Sequence, residues 1–113
     1  MQLYHNPRCS KSRQALSLLE ERSVSPQIIK YLDETPSVSE LAEVIKKLGI
    51  TPRELLRKGE AAYKELNLAD PALSDQHIIQ AMQQNPKLIE RPIAIVGNKA
   101  VIGRPPENVL ELL

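Results

Sequence analysis

The fold is decided by the stretch Leu3-Tyr4-His5-Asn6-Pro7-Arg8-Cys9-Ser10-Lys11-Ser12-Arg13. Its first three residues predict a short strand, which Asn6-Pro7-Arg8 breaks. From Ser10 to about Arg22 the pattern is helical, with one apolar face made of Ala15, Leu16, Leu18 and Leu19. Cys9 is therefore predicted to lie where a strand gives way to a helix, at or next to the helix cap.

The flanking sequence extends this unit into a sheet. Gln27 to Leu32 predicts a second strand, and strand, helix and strand at this spacing form a right-handed parallel unit. Near the end of the chain, the apolar runs Pro92–Val96 and Lys99–Ile102 flank Gly97-Asn98, which predicts a β-hairpin. Pro105-Pro106 then opens a last helix, whose apolar residues are Val109, Leu110, Leu112 and Leu113.

The middle of the chain is helical in pattern. Ser37 to Glu40 fits a capping box before a helix that Gly49 stops. Thr51 to Glu54 is a second capping box with proline at the first helical position. Two further helices are predicted, Glu60–Leu66 and Ser74–Gln84, the second ending before Asn85-Pro86. We therefore predict an α/β fold over residues 1–113 in one domain: a thioredoxin-like mixed β-sheet with a helical insertion at about 37–90.

Composition excludes several classes of protein. The 113 residues carry 15 basic and 14 acidic side chains, a balance too even for nucleic-acid binding by bulk charge. One cysteine forms no internal disulfide, and one Cys with two scattered His residues offers no zinc cluster, so no metal is expected. The N-terminus lacks the pattern of a signal peptide, and no apolar run approaches the roughly 20 residues that span a bilayer. We expect a cytoplasmic protein that binds no membrane.

Cys9 is the candidate nucleophile. The N–H groups of residues 10–12 have no partner inside the helix and favour an anion at its start, and basic residues flank the cysteine. This setting predicts a lowered pKa and a reactive thiolate, whereas a buried cysteine without chemistry is the alternative. Ser12 stands where a dithiol motif has its second cysteine, so any redox cycle needs an outside thiol. Ser12 would donate a hydrogen bond to the thiolate or to a bound oxyanion, or else cap the first turn.

The segment His5-Asn6-Pro7-x-Cys9-x-x-Ser12-Arg13 resembles the active-site segment of the glutaredoxin-dependent arsenate reductases. The similarity covers nearly the whole chain in family order, in blocks at residues 31–36, 54–58, 63–69, 85–93 and 103–107. Within the family, the chain resembles the short, chromosomally encoded YfgD-like branch of the ArsC proteins.

The resemblance implies a mechanism and a site. The family's catalytic residues fall on Cys9, Arg57, Arg91 and Arg104, and guanidinium groups suit an oxyanion such as arsenate. Cys9 would attack arsenate, glutathione would resolve the adduct with release of arsenite, and glutaredoxin would clear the mixed disulfide. Glutathione is then a co-substrate, and no bound cofactor is expected. Thioredoxin-like folds also imply that Pro92 follows a cis peptide bond and faces the catalytic cysteine.

Two motif residues, His5 and Arg13, complete the expected site as supports for the thiolate or the oxyanion. A charged His5 would help to hold Cys9 as thiolate, but a strand histidine bonded to backbone is an open alternative. Two of the arginines also have a structural alternative: Arg57 as a cation at a helix end, and Arg104 as a surface loop residue.

Two other functions stay open from the sequence. Ser10-Lys11 stands where well-characterised reductases of the family have Gly-Thr, so a general glutathione-dependent thiol oxidoreductase without preference for arsenate is the first alternative. The second is an Spx-type regulator that binds RNA polymerase. Many such regulators use two cysteines at positions matching 9 and 12, and Ser12 disfavours this reading.

Overall fold

Four strands form one mixed sheet in the first of two units of the computed structural model, which describes all residues from Met1 to Leu113. The first unit comprises Met1–Glu34 and Arg91–Leu113, and the second comprises Thr35–Glu90. The second unit covers nearly the segment that the sequence assigns to a helical insertion. That the whole chain is one domain stays a prediction.

The sheet contains the strands β1 (Gln2–Tyr4), β2 (Gln27–Ile29), β3 (Ile93–Val96) and β4 (Lys99–Ile102). Their order is β2-β1-β3-β4, with β1 parallel to β2 and antiparallel to β3, and β3 antiparallel to β4. Leu3 of β1 is in register with Ile28 on one side and Ala94 on the other. The predicted βαβ unit and hairpin thus share one sheet, which confirms the α/β fold with a mixed sheet.

The core of the first unit is small and aliphatic. Helix α1 (Ser10–Glu21) and a C-terminal 3-10 helix (Pro106–Leu112) pack against each other, and the 3-10 helix also packs on β3 and β4. Five fully buried residues form the centre of the core: Leu3, Ala15, Leu19, Ala94 and Val109. Complete burial of a leucine or valine side chain contributes about 1.5–3 kcal/mol, so this cluster fixes α1 and the 3-10 helix relative to the sheet.

The second unit is helical. It contains α2 (Val38–Leu48), α3 (Ala61–Glu65), α4 (Asp75–Gln84) and the 3-10 helices Pro52–Leu55 and Pro86–Leu88. The predicted capping box of α2 is confirmed, because Ser37 Oγ accepts from the Glu40 N–H at 3.1 Å and Glu40 Oε1 accepts from the Ser37 N–H at 3.2 Å. Gly49 ends the helix in the left-handed conformation, with φ of 69°. These five helices supply no strand to the sheet.

Three details differ from the sequence-based predictions. Strand β2 ends at Ile29 instead of Leu32, because the Tyr31 N–H turns back to the Ile29 carbonyl at 3.0 Å. The segments after Thr51 and Pro105 are 3-10 helices, where an ordinary helix was expected. Prolines at their starts remove backbone donors, and such short segments settle into the tighter turn. The 3-10 helix Pro86–Leu88 was not predicted at all.

Two proline peptide bonds are cis, Arg91–Pro92 and Arg104–Pro105. The first agrees with the expectation from thioredoxin-like folds, and the second was not foreseen. Gly103 lies close to both cis bonds: it precedes Arg104 in sequence, and its N–H donates to the Pro92 carbonyl at 2.8 Å. A Cβ on Gly103 would lie 2.7 Å from Pro92 Cγ and 3.1 Å from Val109 Cγ1. Only glycine permits this approach, because both neighbours are themselves packed in the interior.

None of the helices is both long and apolar enough to cross a bilayer. No group of three or more His, Cys, Asp or Glu side chains lies together in an arrangement that would hold a metal ion.

A Gly103→Ala substitution should lower the free energy of unfolding by about 1–3 kcal/mol, the usual effect of an added methyl group in a packed interior. The measurement is urea unfolding followed by circular dichroism. Gly59→Ala is the matched control, since its Cβ would meet nothing within 4 Å and a surface change of this kind stays within about 0.5 kcal/mol. Equal stability of the two variants would contradict the proposed close contact.

Candidate active site

Cys9 occupies the N-cap position of α1, where its backbone is extended with φ of −93° and ψ of 124°. A tight loop leads into it: the Cys9 N–H donates to the Asn6 carbonyl at 2.9 Å, and Asn6 Oδ1 accepts from the Arg8 N–H at 3.0 Å. The extended N-cap leaves the N–H groups of the first helical turn directed at the cap. The cysteine side chain is nearly enclosed, with 9% of the residue exposed.

The surroundings of the thiol have opposing effects on its ionisation. Burial raises the pKa of Cys9, but hydrogen bonds from the Ser12 N–H, the Ser12 hydroxyl and the Lys11 N–H lower it, as does the positive charge of Arg104. The donors and the charge outweigh burial, so the pKa of Cys9 lies below its ordinary value. The predicted lowering of the pKa therefore has a physical cause in the first turn of α1.

Arg104 connects two other parts of the site to the cysteine. Its Nη2 donates toward Cys9 Sγ at 3.8 Å, and its Nε donates to the Arg91 carbonyl at 2.8 Å. The structure thus brings together three of the four residues expected to be catalytic, Cys9, Arg91 and Arg104, although they are far apart in sequence. Arg91 contributes its backbone carbonyl to this arrangement, and it is partly buried.

The two supporting residues of α1 have different positions. Ser12 is fully buried, and its Oγ accepts from the Asn6 N–H at 3.4 Å, so the side chain lies among the groups around the thiol. Arg13 is exposed, and its Nη1 donates to the Pro7 carbonyl at 3.0 Å. Arg13 therefore braces the loop that precedes Cys9.

His5 follows β1 and is buried, with 6% of the residue exposed. Burial, reinforced by the positive charges of Lys30 and Arg13, lowers the pKa of His5. A neutral imidazole is therefore favoured at neutral pH. A supporting role of His5 at the thiolate or the oxyanion stays a prediction. No protein atom forms a hydrogen bond with His5 Nδ1.

Arg57 belongs to the second unit and is engaged there. Its Nη1 lies 2.9 Å from Glu60 Oε1, its Nε lies 3.5 Å from Glu90 Oε1, and its backbone N–H donates to the Leu88 carbonyl at 2.8 Å. The sequence analysis did not predict that Glu60 and Glu90 would both lie beside Arg57. A catalytic role for Arg57 stays a prediction.

Two residues matter locally that the sequence analysis did not single out as site residues. Asn6 holds the loop before Cys9 through its side chain and carbonyl, and an Asn before a proline is a signal for such a turn. Gly103 allows the close contact with Pro92 that places Arg104 next to the site. Nothing in the local sequence distinguishes this glycine from an ordinary loop residue.

These features define a thioredoxin-like protein with a lone cysteine thiol at the start of its first helix and an arginine against the sulfur. The profile of the ArsC family matches residues 4–112, and the chain belongs to that family.

Its relatives support the same assignment over nearly their whole length. The chain is 53% identical over 114 residues to the uncharacterized protein YfgD of Escherichia coli (strain K12), a match that covers 100% of this chain and 96% of the relative. It is 50% identical over 112 residues to a Haemophilus influenzae protein named arsenate reductase, covering 98% of this chain and 97% of that protein. A solved structure named as arsenate reductase from Vibrio cholerae superposes with a TM-score of 0.97 at 52% identity, covering 99% and 96% of the two chains.

Alkylation of Cys9 as a function of pH should show a midpoint below that of the same protein unfolded in urea, because the donors of the first turn stabilise the thiolate. Ser12→Ala removes one of these donors and should shift the midpoint upward. Ser10→Ala is the control, since the Ser10 side chain is exposed and contributes nothing to the ionisation of Cys9. A midpoint equal in the folded and unfolded protein would contradict the assignment.

The lowered pKa of His5 predicts a pH dependence of stability. Between the folded-state pKa and the unfolded value of 6.5, the unfolded chain binds more protons, so the free energy of unfolding falls as the pH drops below 6.5. His5→Gln should lose part of this slope in urea unfolding measured across that range. His77→Gln, an exposed histidine on α4, should keep the wild-type slope. A wild-type slope in His5→Gln would show that His5 is protonated equally in both states.

Proposed function

We propose that this chain is an arsenate reductase in which the Cys9 thiolate is the nucleophile. The observation that carries the proposal is the Cys9 sulfur at 3.8 Å from Arg104 Nη2, at a helix start whose N–H groups lower the pKa of the thiol. A thiolate and a fixed guanidinium in contact are what the attack on an oxyanion needs, since the cation takes up the charge of the anion that the thiolate approaches. The names of the Haemophilus influenzae and Vibrio cholerae relatives agree with this substrate.

The proposed reaction is a two-electron reduction of arsenate, in which a sulfur–arsenic bond forms first and a disulfide forms second. Cys9 Sγ displaces one oxygen of arsenate as water and forms a sulfur–arsenic bond. A glutathione thiolate then forms a disulfide with Cys9 while the sulfur–arsenic bond breaks, and arsenic keeps the electron pair and leaves as arsenite. Glutaredoxin takes the glutathionyl group and restores the Cys9 thiolate, which closes the cycle.

The arginines have separate parts in this proposal. Arg104 holds the thiolate before the substrate binds and the arsenate oxygens afterwards, because its planar fork offers several N–H donors. Arg91 and Arg57 are assigned to the same oxyanion by the family resemblance. Ser12 donates to the sulfur or to the oxyanion, and Arg13 acts through the loop that it braces at Pro7.

The glutathione and glutaredoxin partners are supported by the count of thiols. The chain has one cysteine, so a disulfide within the chain cannot resolve the adduct, as it would in a reductase with several cysteines. An external monothiol is the simplest reductant under this constraint, and a cytoplasmic location fits a free thiol that must stay reduced. The proposal includes no bound cofactor.

A general glutathione-dependent thiol oxidoreductase is the second candidate, because Ser10-Lys11 replaces the Gly-Thr of the family's well-characterised reductases. That activity uses Cys9 but gains little from the arginines. An Arg91→Ala variant that loses arsenate reduction but retains disulfide exchange would favour the first function. Retention of both activities would favour the second.

The deciding experiment is arsenate-dependent oxidation of NADPH, coupled through glutathione reductase, glutathione and glutaredoxin. Turnover should disappear in Cys9→Ser, and kcat/KM for arsenate should fall by about 10²–10³-fold in Arg104→Ala, the range for loss of one donor to a reacting oxyanion. Arg22→Ala, an exposed arginine at the end of α1, should match the wild type. Folded wild type without turnover, or turnover that survives in Cys9→Ser, would contradict the proposed function.

A further inference from the structure

The side-chain amide of Asn108 holds the turn that carries Arg104. Asn108 is half-buried in the C-terminal 3-10 helix, and its Nδ2 donates to the Arg104 carbonyl at 3.1 Å and to the Ile102 carbonyl at 3.3 Å. An amide nitrogen has two N–H donors, so one side chain serves both carbonyls. The amide oxygen could not take this place, because it is an acceptor and would meet two other acceptors.

These bonds act on the backbone at both sides of the Arg104 Cα atom. On the N-terminal side, the Arg104 N–H donates to the Ile102 carbonyl at 2.9 Å, which is the carbonyl that also accepts from Asn108. On the C-terminal side, the Arg104 carbonyl accepts from Asn108 directly. Because φ and ψ are the two soft dihedrals of a residue, fixing both sides fixes the direction in which the Arg104 side chain leaves the backbone.

Asn108 itself is anchored to the interior of the first unit. Its backbone N–H donates to the Pro105 carbonyl at 3.0 Å, and the next residue, Val109, is fully buried in the core cluster. The 3-10 helix that carries both residues packs on α1, β3 and β4. The amide therefore connects the exposed turn to a packed element.

Arg104 needs such a connection because its side chain is exposed, so packing does not hold the guanidinium in place. Its contacts with the Arg91 carbonyl and with Cys9 Sγ both require the backbone beneath them to keep one conformation. A long side chain on a mobile turn samples many positions, and its attraction for a thiolate weakens as the distance grows. A fixed Arg104 backbone is thus a condition for a charge at the sulfur.

We propose that Asn108 is a positioning residue for the reaction at Cys9: its side-chain amide fixes the backbone of Arg104 and thereby keeps the guanidinium at the Cys9 sulfur. The effect on arsenate rests on the proposed function, whereas the placement of Arg104 at the thiol does not. Asn108 touches neither the sulfur nor the substrate in this role and acts only through Arg104.

The first test measures the rate of Cys9 alkylation by iodoacetamide as a function of pH, a neutral reagent that the charge of Arg104 does not attract. Asn108→Leu keeps a side chain of similar size but removes both donors, and it should raise the midpoint, because a displaced guanidinium stabilises the thiolate less. Asn108→Ala removes the same donors without the bulk of leucine and should raise the midpoint too. Urea unfolding establishes that each variant is folded.

Asn85→Leu is the matched control. Asn85 is also half-buried, its Nδ2 donates to the Ala81 carbonyl at 3.1 Å, and both residues belong to the second unit. This variant loses a comparable hydrogen bond and should keep the wild-type midpoint. An unchanged midpoint in the folded Asn108 variants would overturn the proposal.

A double variant distinguishes positioning of Arg104 from a general loosening of the site. Arg104→Ala alone should raise the midpoint, and adding Asn108→Leu to it should raise it no further, since residues that act through one group are not additive. A further rise in the double variant would overturn the proposal, because Asn108 would then act on the sulfur by another route. An Arg104→Ala midpoint equal to that of the wild type would overturn it as well.

Arsenate kinetics separate this inference from the proposed function. In Asn108→Leu, kcat/KM for arsenate should fall about tenfold, a smaller loss than in Arg104→Ala, because the guanidinium is displaced and not removed. Arsenate reduction by the wild type with an unchanged alkylation midpoint in Asn108→Leu would support the function and overturn the role of Asn108. A wild type that reduces no arsenate would reject the function, and a raised midpoint in Asn108→Leu that is absent from the Arg104→Ala background would still support the positioning role.

Discussion

The site depends on the close approach of Gly103 to Pro92. Because Gly103 has no side chain, its backbone lies against the proline ring and its N–H bonds the Pro92 carbonyl at 2.8 Å, which ties the end of β4 to the start of β3. Arg104 is the next residue, so this contact places its guanidinium within reach of both the Arg91 carbonyl and the Cys9 sulfur. The cysteine arrives from the other side, at the end of the loop that leaves β1. The loop after β1 and the segment after β4 therefore meet at the Arg104 guanidinium. The core cluster that contains Val109 packs next to this meeting point.

An arginine is better suited to that meeting point than a lysine. Arg104 uses Nε for a backbone carbonyl and Nη2 for the sulfur at the same time, which a single ammonium on a flexible chain does with less geometric definition. The anchored Nε limits the freedom of the side chain, so its charge stays near the thiol when the ligand is absent. Cys9 is nearly buried, and burial alone would favour the neutral thiol. The pKa of Cys9 lies below its ordinary value only because the donors of the first turn and this anchored charge act on the sulfur together.

The sequence predicted those structural features that depend on residues close together in the chain. The helix start at Ser10, the capping box at Ser37 and the hairpin turn at Gly97 follow from patterns of a few residues, and all three are present. It was less informative where a residue's partner is distant in sequence or its environment depends on burial. Of the two carboxylates beside Arg57, that of Glu90 lies thirty-three residues away in sequence, and no short pattern joins it to the arginine. His5 illustrates burial: its motif suggested a charge, but enclosure next to Lys30 and Arg13 favours the neutral ring.

In the proposed cycle, the lowered pKa of Cys9 serves the last step as well as the first. A thiolate of lower pKa is a weaker nucleophile than a more basic one, but more of it is present at neutral pH, and it is the better leaving group. When glutaredoxin attacks the glutathione sulfur of the mixed disulfide, the Cys9 sulfur departs as the anion that Ser12, Lys11 and Arg104 stabilise. These groups also decide which sulfur of the mixed disulfide glutaredoxin attacks. Cys9 forms the more stable thiolate, so Cys9 is released and the glutathione sulfur is attacked. A chain with one cysteine needs this direction, since it has no second thiol with which to recover from attack at the wrong sulfur.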